Sequence, residues 1–209
     1  MHKIFLPAIF ILTLLTATAF AAENESYEYT SETYGFKILC PAKPIVIVNP
    51  FEDPNQHGEL LVFAYEDIKV IFGYQIMLDA FDTKEIPDFN KDKKKKIDAY
   101  IEKKRAENIY NFVELQNISK DNKGVVMVTA KELTIVDENG EEVTATADQQ
   151  TAYAIFRTKS GRCISIQLIS ADLDKSDYED FLKSVSTYQD ATDLSISPET
   201  DNNKKSKKK

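Results

Sequence analysis

The sequence is poor in the residues that most enzyme sites use. Its 209 residues include no tryptophan, six glycines, two cysteines and two histidines. His2 lies at the extreme N-terminus, which leaves His57 for any catalytic triad or zinc site, and a solvated loop histidine is the simpler interpretation of His57. Cys-x-x-Cys pairs and glycine-rich phosphate loops do not occur. We therefore predict no catalytic residue, no metal site and no cofactor.

The first 21 residues have the layout of a secretory signal peptide. A basic start at Lys3 is followed by an apolar run, and the small residues of Ala19-Phe20-Ala21 precede the polar Glu23-Asn24-Glu25. We expect cleavage after Ala21, and an uncleaved membrane anchor is the alternative. Cleavage would release the protein into the periplasm, the cell envelope or the extracellular medium.

Charge is distributed unevenly along the chain. The whole chain carries a net charge of −8, whereas residues 22–203 hold 20 of the 26 basic residues and all 34 acidic residues, a net charge of −14. So acidic a body disfavours nucleic acid as a partner. We expect one domain over residues 22–190, and a disordered tail over residues 191–209, where apolar periodicity ends.

Two groups of lysines are candidates for contact with an anionic surface. One opens the predicted middle helix and the other closes the tail; they comprise Lys93, Lys94, Lys95, Lys96, Lys204, Lys205, Lys207, Lys208 and Lys209. Each exposed lysine can add up to about 1 kcal/mol of attraction to an anionic membrane. The alternative for both groups is a solvated, solubilising segment.

Cys40 and Cys163 are the only cysteines, and both fall within predicted strands. An exported chain can oxidise such a pair, and a bridge across so long a loop would stabilise the fold by about 4 to 5 kcal/mol. Two separate buried thiols are the alternative, and the sequence alone does not decide between them.

The hydrophobic pattern predicts an α+β fold with an antiparallel sheet and packed helices. Strands are expected at 34–40, 45–48, 59–65, 69–78, 109–118, 124–136, 143–158 and 162–170. Helical spacing predicts a middle helix within 89–108. A capping box at Ser176-Asp177-Tyr178-Glu179 predicts a last helix that ends near Tyr188.

The segment Tyr29–Pro41 resembles the start of the PsbP-like family. A Tyr34-Gly35-Phe36 step leads into a strand that stops at Pro41, and the order of elements over residues 27–188 is similar to that family. Its members are small exported domains related to an extrinsic photosystem protein. The resemblance implies an α/β sandwich that acts through binding or assembly, and it implies no catalytic residue.

The missing catalytic groups and the resemblance favour a non-enzymatic binding or assembly domain of the bacterial cell envelope, with the sheet and middle helix as its recognition surface. Its partner would be an envelope protein or an anionic polymer. Abundant carboxylates keep open a hydrolase that uses Asp/Glu chemistry. A carrier of a small apolar or anionic ligand is the third hypothesis. Two facing carboxylates in a deep cleft would favour the enzyme, an apolar cavity would favour the carrier, and the absence of a cleft would favour the binding domain.

Overall fold

The computed structural model describes residues 26–52, 55–63, 72–79, 85–136, 140–171 and 173–194. The predicted signal peptide and the terminal lysines of the tail lie outside these residues. The described residues form strands and helices in the following order along the chain. The strands are β1 Tyr27–Ser31, β2 Phe36–Cys40, β3 Ile45–Val48, β4 His57–Phe63, β5 Phe72–Leu78, β6 Tyr110–Ser119, β7 Asn122–Thr129, β8 Glu132–Val136, β9 Glu142–Thr146, β10 Gln150–Arg157, β11 Cys163–Ser170 and β12 Gln189–Asp190; the helices are α1 Lys94–Arg105, α2 Lys175–Thr187 and α3 Ala191–Leu194.

A seven-stranded sheet in the order β3-β4-β5-β11-β10-β7-β6 is the centre of the fold, and each of its strand pairs is antiparallel. β1, β2 and β12 form a second sheet, and β8 pairs with β9 in a ribbon of two strands. The predicted antiparallel sheet with packed helices is thereby confirmed.

The main sheet buries both of its faces. On one face, Ile164, Ile166 and Leu168 of β11 pack in a core with Phe181 of α2 and Ile38 of β2. Alternate residues of a strand point to opposite sides. Val125, Met127 and Cys163 accordingly lie in a separate core against the middle helix, whose buried residues are Ile97, Tyr100 and Ile101. The fold is thus layered, with α1 on one face of the sheet and α2 with the second sheet on the other.

The two longest predicted strands are each broken. The strand expected at 124–136 ends at Thr129, and the strand expected at 143–158 begins again only at Gln150. Between these points the chain leaves the main sheet and pairs with itself as the β8–β9 ribbon, with Ala147 N–H bonded to Lys131 C=O at 2.8 Å. Continuous hydrophobic alternation does not reveal which partner a strand pairs with, because side chains alternate every two residues both in a two-stranded ribbon and in a larger sheet.

The first strand of the chain was not expected. The first predicted strand began at residue 34, yet Tyr27 and Tyr29 belong to β1, which pairs with β2 over its whole length. The cap of α2 also differs from the prediction. Asp174, two residues before Ser176, is the N-cap, and its carboxylate accepts a hydrogen bond from Asp177 N–H at 2.8 Å.

The structure describes the first four residues of the segment predicted as a tail. Ala191–Leu194 form α3, and Ala191 N–H donates to Gly35 C=O at 2.6 Å. The Asp193 carboxylate accepts from two backbone N–H groups in the β10–β11 turn, and the buried Asp190 carboxylate lies 3.3 Å from the Arg162 guanidinium. These contacts make residues 189–194 part of the domain. None of the described helices is long and apolar enough to cross a membrane.

Candidate functional site

The outermost strand on one side of the main sheet, β3, is apolar and exposed. Ile45, Val46 and Val48 have exposed fractions of 56%, 36% and 46%, and they are three of the seven large hydrophobic residues exposed in the described chain. Pro44 and Pro50 flank the strand, and proline inside a sheet is confined to edges and strand ends. The prolines limit the strand to a short segment, and the strand order places it at the edge of the sheet with its side chains exposed.

Backbone groups of β3 alternate between its neighbour β4 and the open side. Asn49 N–H donates to Gly58 C=O at 2.8 Å, in line with the register that pairs Val48 with Glu59. Because hydrogen-bonded and non-bonded pairs alternate in an antiparallel ladder, the N–H and C=O groups of Val46 and Val48 point away from β4. No residue in the described part of the chain bonds these outward groups. The edge therefore offers donors and acceptors at two residues.

A buried carboxylate supports the sheet beside this edge. Glu59 of β4 is 1% exposed, and its two oxygens accept hydrogen bonds from Tyr29 Oη and Ser31 Oγ, both at 2.8 Å. Burial, followed by the bond to Glu59, raises the pKa of Tyr29 well above its usual range. Since each carboxylate oxygen already accepts a hydrogen bond from a hydroxyl group of β1, the role of Glu59 is to link β1 to β4.

The end of β3 is fixed by Asn49 and Gly58. Asn49 adopts a left-handed conformation with φ of 51°, and its side-chain oxygen accepts from Tyr34 Oη and from Gly58 N–H. A Cβ on Gly58 would lie 1.9 Å from Ile76 C=O, so no larger residue fits between β3 and β5 there. The open edge is accordingly held in a defined position.

The opposite edge of the same sheet, β6, is protected. Its pairing with β7 shifts register twice, between Tyr110 and Phe112 and between Asn117 and Ser119. Both α1 and α2 pack beside it. The Arg105 guanidinium of α1 donates to Val113 C=O at 3.0 and 3.3 Å. Bulges and covering side chains are the usual means of blocking edge pairing.

Two grooves beside β6 are open to solvent. One, of about 300 Å³, lies between β6 and the start of α2, and its lining includes Phe112, Leu173, Asp174 and Tyr178. The other, of about 530 Å³, lies between α1 and β6 and is lined mainly by charged side chains. Neither groove has the enclosed apolar form that the carrier hypothesis requires.

The two cysteines are free and buried. Cys40 lies in the core shared with α2, whereas Cys163 lies in the core beneath α1, on the other face of the sheet. The possible disulfide between them is therefore not formed in this structure. Burial raises the pKa of Cys40 to about 12 and that of Cys163 to about 11. Both thiols are structural parts of the core.

The lysines at the start of α1 lie among acidic side chains. Lys94 Nζ is 2.7 Å from Asp98, and Lys96 Nζ is 2.6 Å from Asp92, whose pKa is lowered chiefly by that hydrogen bond. Lys93 is the N-cap residue and has no side-chain capping bond. Such exposed pairs contribute little stability, but they reduce the positive charge available to an anionic surface. Contact through Lys93 to Lys96 stays a prediction.

His57 begins β4 and is exposed, opposite Leu78 of β5. Among the described residues there is no group of three or more histidine, cysteine or acidic side chains able to share a metal ion. Sequence reasoning overlooked the open edge and Glu59. The uncharged run Ile45–Val48 between two prolines was a signal for the edge. No local pattern marks Glu59, because its partners lie about thirty residues away in β1.

Comparisons with known proteins give a structural similarity but no sequence match. No protein-family model matches the chain, and no curated protein matches it either. The fold is similar to the solution structure of cyanobacterial PsbP (CyanoP) from Synechocystis sp. PCC 6803, with a TM-score of 0.45 and 10% sequence identity. The similarity covers 84% of this chain and 98% of that chain. This overlap is too loose to assign a family or a function, so membership of the PsbP-like family stays a prediction.

Proposed function

We propose that this protein is an exported, non-enzymatic binding domain of the bacterial cell envelope that contacts a partner polypeptide through the open edge of its main sheet. The observation that supports the proposal is the combination found on β3. Three exposed apolar side chains share one short strand with outward backbone groups at Val46 and Val48.

Strand addition is the binding mode that this edge suits. In that mode an extended segment adds to the sheet, and its main-chain hydrogen bonds provide affinity while alternate side chains provide specificity. On β3, Val46 and Val48 lie on the same side as Glu59 and Leu61, and Ile45 and Ile47 lie on the other side. An incoming strand would therefore meet apolar side chains on both faces.

This proposal narrows the recognition surface expected from the sequence. The expected surface combined the sheet with the middle helix, but α1 packs against β6, at the end of the sheet farthest from β3. We assign protein contact to the β3 edge and keep the lysine groups as a proposed contact with anionic polymer or lipid. The two surfaces can then be tested by separate variants.

The test is capture of an envelope protein by the purified domain. Val46→Lys combined with Val48→Lys places charge on the open edge, whereas Leu115→Lys places a charge on β6, where Leu115 is 39% exposed. We expect a captured protein to be lost with the β3 variant and retained with the β6 variant. The captured protein would then be purified and its Kd measured with all three forms.

Equal binding by the β3 variant and the wild type would overturn the assignment. A form that lacks residues 195–209 separates the tail from the edge. If deleting these residues abolishes binding while the β3 variant binds normally, the contact belongs to the lysine tail.

A further inference from the structure

We infer that one partner of the β3 edge is a second copy of this chain, paired antiparallel about a twofold axis at Ile47. This inference rests on the proposed role of β3 as a contact edge.

The geometry of β3 is self-complementary. The outward backbone groups belong to Val46 and Val48, which are two residues apart. A twofold axis at Ile47 places Val46 of one copy opposite Val48 of the other, and the reverse. Each such pair exchanges two N–H···O=C bonds, so the symmetric register uses every outward group of these two residues.

The side chains agree with the same register. A twofold axis perpendicular to the sheet keeps the faces of the two copies aligned, so Val46 and Val48 from both copies form one apolar strip. Each is at least one-third exposed in the single chain. Pairing would remove this area from water, which stabilises the contact.

Charge at the ends of β3 also favours antiparallel self-pairing. The four residues Ile45–Val48 carry no charge. The exposed Lys43 precedes the strand and the exposed Glu52 follows it, so each copy has a basic end and an acidic end. Antiparallel pairing brings the basic end of one copy beside the acidic end of the other. Parallel pairing would bring like charges together.

Two features limit the strength of the dimer. The strand has only four residues, so the interface is small and falls in the class of weak, transient contacts. Each chain also carries a net charge of −8, so two copies repel one another over long distances. Salt screens this repulsion. We therefore expect dimerisation to be reversible and to strengthen as the salt concentration rises.

The inference is tested by sedimentation velocity of the natively processed protein. The measurement covers a wide range of protein concentrations. Val46→Lys and Val48→Glu are examined singly and together, with Leu115→Lys as the control on the other edge. Each single change places an uncompensated charge in the strip, and we expect dimer affinity to fall about tenfold or more. Together they place opposite charges at facing positions, and affinity should recover. The control should dimerise like the wild type.

The outcomes separate this inference from the proposed function. A wild-type protein that stays monomeric throughout overturns the self-pairing, and envelope capture that still depends on β3 would then identify a different protein as the occupant. A double variant no better than the single variants overturns the twofold register. Dimerisation that Leu115→Lys weakens as much as Val46→Lys would move the interface to β6.

Discussion

The two edges of the main sheet differ in nearly every feature that controls strand pairing. β3 is short, regular and apolar, and it leaves backbone groups unbonded on its outer side. β6 is ten residues long, is bulged twice, and has a main-chain carbonyl covered by Arg105 from α1. Long open edges invite aggregation, and proteins block them with bulges and charged side chains. The long edge here is blocked and the short one is left open, which is the arrangement expected if the short edge is used for contact.

Below the surface the two edges have similar support. Each edge strand pairs with a strand that holds a tightly packed glycine, Gly58 in β4 and Gly124 in β7. The two hydrophobic cores lie on the two faces of the sheet, and β6 contributes Ile118 to one and Val113 to the other. The edges therefore share a tightly packed glycine in the neighbouring strand and differ in what they expose and in what covers them.

The largest effect is expected from filling the space beneath β3. A Cβ on Gly58 would lie 1.9 Å from Ile76 C=O, whereas one on Gly124 would lie 2.6 Å from Ile155 C=O. Main-chain atoms cannot move aside cheaply, so Gly58→Ala should lower the free energy of unfolding by at least about 3 kcal/mol. Gly124→Ala should cost about 1 to 2 kcal/mol. Urea denaturation measures both, and the reverse order would contradict the packing described for β4.

The next effect concerns the buried carboxylate beside the open edge. Glu59→Ala leaves Tyr29 Oη and Ser31 Oγ without their acceptor, and we expect a loss of about 2 kcal/mol in unfolding free energy. Glu114→Ala is the matched change on β6, where the side chain is exposed, and it should stay within about 0.5 kcal/mol of the wild type. Similar values for both variants would show that Glu59 does not fasten β1.

A smaller effect should follow when the cover of β6 is removed. Arg105→Ala frees Val113 C=O, and we expect a loss of about 1 kcal/mol, measured by thermal unfolding. Arg105→Lys keeps the charge and one hydrogen-bond donor, so its stability should lie between that of the wild type and that of Arg105→Ala. Self-association should not increase in either variant, because the two bulges of β6 still prevent regular pairing. A new dimer that forms through β6 would show that Arg105 alone protects this edge.

The smallest effect, close to none, is expected from thiol labelling of the two cores, which lie on opposite faces of the sheet. Burial raises the pKa of Cys40 to about 12 and that of Cys163 to about 11, so iodoacetamide at pH 8 should label neither native thiol. The folded state favours the neutral thiols. Their contribution to stability is thus complete below the unfolded pKa of about 8.5 and is lost as pH rises toward the folded values. Rapid labelling of one cysteine in the native protein would show that its core is open.

The sequence predicted the fold class and the approximate position of most strands, since apolar residues at a spacing of two mark strands such as β11. It did not predict where strands change partner. The breaks at Ala130 and at residues 147–149 lie inside unbroken alternation, and only three-dimensional pairing separates the ribbon from the sheet. The sequence also did not predict β12 and α3. These elements are held by contacts with Gly35 and Arg162, which lie in distant parts of the chain.

Residues of the candidate site were harder to predict than the fold. Catalytic side chains are recognised by residue type, whereas the distinguishing feature of β3 is a set of unbonded main-chain groups, and every residue has a main chain. Whether an N–H is free depends on the position of the strand in the sheet and on its register. Pro44 and Pro50 were the local signs of an edge, and the sheet order was needed to interpret them.

Amide hydrogen exchange of β3, measured by NMR at low and high protein concentration, tests the central claim most directly. We expect the amides of Val46 and Val48 to exchange quickly in dilute protein and to become protected as concentration rises. The amide of Ile47 bonds toward β4, so it should be protected at both concentrations. Fast exchange at Ile47 with protection at Val46 and Val48 in dilute protein would contradict the outward direction assigned to these groups. Exchange at Val46 and Val48 that never changes with concentration, or with an added partner, would contradict the use of this edge for contact.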